Sequence, residues 1–161
     1  MGRQKRNHPT ILIVEGQDDL FAVVGLMRFH VEWGDGAVEI EPTNGVEEIL
    51  QQGFPSAKVK QREVQIVGVL IDADMNPKGR YQRIRQLSLG LFPNMPESLP
   101  AEGLIVDGEE KRLGVWVMPD NQSEGNLETF LRYLVPSAQE VLWRACTGEF
   151  EGGARNGGSM P

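Results

Sequence analysis

Two short apolar runs stand out along the chain, and each stops at an acidic group. Ile11-Leu12-Ile13-Val14 leads into Glu15-Gly16-Gln17-Asp18-Asp19, and Val67-Gly68-Val69-Leu70-Ile71 leads into Asp72-Ala73-Asp74. Short apolar runs bounded by turn residues read as buried strands of a parallel sheet. Between them the period changes. From Asp18 to about His30, Leu20, Val23, Val24, Met27 and Val31 recur at three- and four-residue spacing, which predicts a helix with Asp18 and Asp19 in its first turn. Alternation at Val38 and Ile40 predicts a second strand over 38–42. Asn44 then reads as the cap of a short helix over 46–52, followed by a loop over 53–62 and a third strand over 63–71.

The second half continues the alternation. Residues 76–79 turn into a helix over 80–91, with Tyr81, Ile84, Leu87 and Leu91 on one face. Three prolines make 93–100 a loop. Residues 103–106 and 114–118 read as a hairpin joined by Asp107-Gly108-Glu109-Glu110-Lys111. A loop over 119–125 precedes helices over 126–133 and 138–146, and there is no internal repeat. The expected fold is α/β and Rossmann-like: a mostly parallel central sheet flanked by helices, with the hairpin appended as an antiparallel addition. One domain over 10–146 is expected. It lies between a flexible basic start over 1–9, carrying Arg3, Lys5 and Arg6, and a disordered tail over 147–161 with five glycines.

Composition narrows the chemistry. The 161 residues carry a formal net charge of −7, which argues against a strongly basic, nonspecific nucleic-acid binder. The single cysteine, Cys146, allows neither an intramolecular disulfide nor a cysteine zinc cluster. With only His8 and His30, neither a two-histidine metal site nor a Ser-His-Asp triad is expected. No apolar run approaches the roughly 20 residues of a membrane span, and no secretory pattern opens the chain, so a soluble cytoplasmic protein is expected.

The acidic residues carry the functional signal. Ligands of open parallel sheets bind off the carboxyl ends of the strands. Glu15 directly follows strand one, and Asp19 lies one helical turn further on. Asp72 and Asp74 are two apart, so an extended backbone would send both side chains to one side. If strands one and three are neighbours, Glu15, Asp19, Asp72 and Asp74 converge. Four like charges in a partly dry site need raised pKa values or cations, and oxygen-only ligands suit Mg²⁺ or Mn²⁺ rather than zinc. Asp18 reads instead as a helix cap.

The two motifs together, Val14-Glu15-Gly16-Gln17-Asp18-Asp19 and Ile71-Asp72-Ala73-Asp74, resemble the signatures of the Toprim domain. That domain is shared by topoisomerases, bacterial primases, OLD-family nucleases, recombination proteins and a small ribosomal RNA maturation nuclease. The resemblance spans about 10–135 and is closest to small stand-alone Toprim-like proteins. These share a Pro-Asp-Asn loop and a Gly-X-Leu-Glu segment, here Pro119-Asp120-Asn121 and Gly125-Asn126-Leu127-Glu128. It implies Glu15 as general acid/base or metal ligand and Asp72 and Asp74 as Mg²⁺ ligands. Asp19 would help bind a second ion, and Glu128 is a further acidic ligand whose plainer reading is a helix-surface carboxylate. One or two Mg²⁺ or Mn²⁺ ions would then serve phosphodiester cleavage of DNA or RNA.

Departures from the pattern matter. Gln17 stands where a lysine is common, and Tyr81 and Tyr133 lie on apolar stripes rather than in a nucleophile's place. No lysine follows Lys111, where related nucleases often carry one that assists phosphoryl chemistry. Metal binding and catalysis are therefore separate expectations. A non-catalytic metal-binding module, serving as an effector or held by a partner ATPase, stays open beside a nuclease. A receiver-like phosphoacceptor fits less well, because Val117-Met118-Pro119 stands where it predicts a lysine before proline. Lys78, Arg80 and Arg83, with Arg85 nearby, are the candidates for a phosphate backbone, Arg80 and Arg83 sharing a helical face. Trp33, Trp116 and Trp143 offer base stacking, although Trp116 alternates within a strand as a packing residue would.

Overall fold

Both apolar runs are inner strands of a single sheet. The computed structural model of the chain describes residues 9–30, 38–51, 56–61, 63–139 and 144. In chain order the elements are β1 (Thr10–Val14), α1 (Gln17–His30), β2 (Glu39–Pro42), α2 (Val46–Ile49), α3 (Ser56–Val59), β3 (Ile66–Asp72), α4 (Pro77–Ser88), β4 (Leu104–Asp107), β5 (Arg112–Met118) and α5 (Leu127–Tyr133), then a 3₁₀ turn at Ser137–Gln139. The sheet runs β2-β1-β3-β5-β4. β1 pairs in parallel with β2 and β3, and β3 in parallel with β5; β4 alone is antiparallel. This is the expected α/β fold with a mostly parallel central sheet.

The core follows from the apolar runs. Ile11, Ile13, Val67, Val69, Ile71, Val115 and Val117 are buried, and Tyr81, Ile84 and Phe92 pack with them. Fully burying one such aliphatic side chain is worth about 1.5–3 kcal/mol. The centre of the sheet is narrowed at Gly68, which faces Gly114 across β3 and β5. A Cβ at Gly68 would come within 2.8 Å of Leu12 Cδ1, so a larger residue there would need the leucine side chain to move.

Several expectations change. The segment 103–118 is not wholly an antiparallel addition: β5 is an interior strand parallel to β3, and only β4 is the antiparallel edge. Helix α4 begins at Pro77 rather than residue 80. Asn76 caps it by accepting from Gly79 N at 2.8 Å, and proline suits the first turn because its missing N–H would have no helical partner there. It ends at Ser88, short of Leu91. Helix α2 stops at Ile49, and its cap is Gly45; the Asn44 side chain bonds Glu48 instead. The expected loop over 53–62 contains α3. Strand three runs from Ile66 rather than residue 63 and extends through Asp72.

The chain divides into two units, 1–130 and 131–161, and the sheet lies in the first. In the second, the end of α5 gives way to the 3₁₀ turn. The basic start at 1–8, the turn at 34–36, Trp33, Trp143, Cys146, most of the expected helix over 138–146 and the glycine-rich tail lie outside the described residues. Among the described residues, no helix is long and apolar enough to cross a membrane.

Candidate functional site

Parallel pairing of β1 with β3 brings the two acidic segments together at the carboxyl ends of those strands. Asp72 N–H donates to Glu15 Oε1 at 2.8 Å, so one motif orients the other directly. The turn after β2 fixes the backbone beneath Glu15. Thr43 N–H donates to Val14 O at 2.9 Å, Gly45 N–H donates to Glu15 O at 2.9 Å, and Thr43 Oγ1 lies 3.1 and 3.2 Å from the same two carbonyls.

Asp19 joins from α1. It is buried, and its Oδ2 accepts from Gly16 N at 3.0 Å, as the third residue of a helix does when it reaches back to the cap. This corrects the reading of Asp18, which is exposed within the first turn while Asp19 makes the capping bond.

Asp74 differs from expectation in backbone. Its φ is +50°, a left-handed conformation that aspartate tolerates better than most residues, so alternation beyond Ala73 does not govern its side chain. Its N–H and carbonyl exchange two 2.8 Å hydrogen bonds with Gly125, and Ala73 N–H donates to Met118 O at 2.9 Å. The Asp74 carboxylate is exposed and ion-paired with Arg80.

The carboxylates are coupled electrostatically. Burial, then the charges of Glu15, Asp19, Asp74 and Glu128, push Asp72 up to about 7. Burial also raises Glu15, opposed by the Asp72 N–H and the Arg80 charge, and raises Asp19, opposed by the Gly16 N–H. Glu128 is exposed in the first turn of α5, and its charge is felt at Asp72 and Asp19. All five predicted carboxylates thus share one field.

Asp72 Oδ1 and Asp19 Oδ1 are buried without a hydrogen-bond partner among the described residues. A lone pair in such a place asks for a donor or a cation. Oxygen atoms from carboxylates are the donors a hard divalent ion takes. The residues therefore fit Mg²⁺ or Mn²⁺ in chemistry. Among the described residues, however, no group of three or more acidic, histidine or cysteine side chains is closed up tightly enough to hold an ion as it stands. Asp74, one of the candidate ligands, is ion-paired with Arg80.

The basic candidates do not form one patch. Arg80 turns to Asp74, whereas Arg83 Nε donates to Leu50 O at 3.1 Å. Lys78 is exposed, on a cavity wall with Arg85. Trp116 packs over Gly103, where a Cβ would come within 2.9 Å of its ring, in keeping with a packing role. Tyr81 is buried, its hydroxyl donating to Pro96 O at 2.7 Å.

Two supports were missed in the sequence. Asn121 is buried at φ +67°. It accepts from Val117 N at 2.7 Å and donates through Nδ2 to Ala101 O at 3.0 Å, tying the end of β5 to the preceding loop. Gly125, at φ +141°, is the backbone partner of Asp74, and a Cβ there would meet Thr129 Oγ1 at 2.8 Å. The Pro-Asp-Asn and Gly-Asn-Leu-Glu segments carried the signal, since side-chain caps and glycines cluster where the backbone must turn sharply.

No curated protein and no solved structure matches the chain. The family model DUF3226, described as "Protein of unknown function", matches residues 9–151. That match covers most of the 161 residues, so the chain belongs to the DUF3226 family.

Proposed function

We propose that this chain is a Toprim-type protein that uses Mg²⁺ or Mn²⁺ to act on nucleic-acid phosphodiesters, most simply as a nuclease in the cytoplasm. The observation that carries the reading is the Glu15–Asp72 pair at the ends of β1 and β3, with a buried Asp72 oxygen that nothing in the described protein satisfies. Asp72 and Glu15 would hold one ion; Asp19, Asp74 and Glu128 are the further carboxylates within the same field. A bound divalent ion would supply positive charge against the attacking and leaving oxygens of a phosphodiester.

The chain's own groups have separable tasks. Glu15, partly buried and raised by that burial, is suited either to holding the ion or, where Asp72 holds it alone, to moving a proton at its carboxylate. Asp72 N–H keeps that carboxylate oriented. Arg80, already beside the acids, is placed to exchange a carboxylate for a phosphate oxygen. Cleavage of a DNA and RNA panel with Mg²⁺ or Mn²⁺ tests the reading. Activity should be lost in the Asp72→Ala/Asp74→Ala double variant, and equal activity in both proteins rejects the assignment.

A second reading is a non-catalytic metal-binding module, an effector held by a partner such as an ATPase. It is favoured by the engagement of Asp74 with Arg80, which ties up one of the carboxylates a second ion would need. Metal uptake by calorimetry without turnover on any nucleic acid selects it.

A further inference from the structure

Beside the acidic centre lies a cavity of about 580 Å³ that none of its five carboxylates lines. It opens where α4 begins, after β3, and where residues 121–122 follow β5, so it lies at the carboxyl ends of the sheet. Its α4 wall presents Lys78, Tyr81 and Arg85, at three- and four-residue spacing, on a different side of the helix from Arg80 and Arg83.

The walls are braced before anything binds. Tyr81 OH donates to Pro96 O at 2.7 Å, and Gln122 Nε2 donates to Leu99 O at 2.9 Å, joining the helix, the 93–100 loop and the segment after β5. Arg85 Nε donates to Met95 O at 3.3 Å, which anchors the guanidinium on the cavity wall. Lys78, on the same lining, is exposed. Against these two cations the lining has one carboxylate, Glu97. Pro77 and Leu99 add apolar surface.

Charge and size together select a ligand class. Two cations on one wall fit a phosphate. A volume of about 580 Å³ is within the usual range for small-molecule sites and far exceeds what a bare phosphate fills. We infer that this cavity is a subsite for one nucleotide unit, with its phosphate on Lys78 and Arg85 and its base against Pro77 and Leu99. The unit is either a free nucleotide or the terminal nucleotide of a strand whose neighbouring phosphodiester lies at the carboxylates. The inference takes its nucleic acid from the proposed function but needs no metal.

Binding is therefore measured on the full chain in EDTA, by calorimetry and fluorescence anisotropy. The probes are adenosine monophosphate, adenosine, inorganic phosphate and a short single-stranded oligonucleotide with and without a terminal phosphate. The monophosphate and the phosphorylated oligonucleotide should bind, with adenosine and inorganic phosphate much weaker. Lys78→Glu should weaken both by at least about tenfold, the loss expected for a charge-assisted hydrogen bond. The same reversal at Lys60, an exposed residue just after α3 and before β3, should change neither. Preference for the monophosphate identifies a free-nucleotide site, and preference for the phosphorylated oligonucleotide a strand-end site. Equal losses at Lys78 and Lys60, equal binding of adenosine and the monophosphate, or no binding overturns the subsite. Binding that survives in a protein that takes up no Mn²⁺ overturns the metal reading alone.

Discussion

Asp72 sets the behaviour of the site through its proton. Its carboxyl is raised from the ordinary 3.8 to about 7, first by burial and then by the surrounding carboxylates. The folded chain therefore holds this proton more tightly than the unfolded chain does. The resulting stability is fully present below about pH 4 and is lost as the pH rises through about 7. In EDTA the thermal midpoint should fall between those values, and Asp72→Asn, neutral throughout, should flatten most of the fall; an unchanged slope assigns it to other groups. Arg80 is the resident cation of the same centre. Arg80→Gln should tighten Mn²⁺ binding severalfold in calorimetry, because the ion no longer competes with a guanidinium for Asp74; equal affinity would show that the ion pair does not oppose the metal. The identity of the carboxylates was legible from residue type and strand position. The Arg80 pairing was not, because it depends on the left-handed turn at Asp74, and nothing in the letters Asp-Ala-Asp announces a positive φ.

At the scale of elements, the motifs are held by connections rather than by strands. Gly125 pairs its backbone with Asp74, and Asn126 then caps α5 by accepting from Thr129 N at 3.2 Å and Thr129 Oγ1 at 3.0 Å. Gly125→Ala should cost roughly 1–3 kcal/mol in denaturant unfolding, through backbone strain and collision with Thr129. It should also weaken metal uptake by displacing Asp74; full stability with full uptake would show that the bridge is dispensable. β1 was legible to the residue, because its apolar run is bounded on both sides. The start of α4 was not. Pro77 reads as a breaker in sequence, yet at the first turn of a helix capped by Asn76 it is an initiator. The turn at Thr43-Asn44-Gly45 read as a break and is a clamp on Glu15.

For the whole molecule, a cation that binds only the assembled centre stabilises the fold by mass action. At about one hundred times its dissociation constant, Mn²⁺ should add about 2.7 kcal/mol, roughly 5–10 °C in thermal midpoint, reversed by EDTA. No shift in the wild-type chain would argue against a site in the folded state. The mostly parallel sheet was legible from the alternation of strand and helix. The place of β5 inside it was not, since a short polar link to β4 looks like a free-standing hairpin and only the burial of Leu113, Val115 and Val117 marks an interior strand. The strand order has a further consequence during synthesis. Glu15 and Asp72 lie 57 positions apart, and Asp74 finds its backbone partner only at Gly125. Contacts so distant in sequence form late and slowly. On a nascent chain Glu15 and Asp72 therefore stay apart until β1 and β3 pair, and Asp74 has no backbone partner until Gly125, beyond β5, has been made.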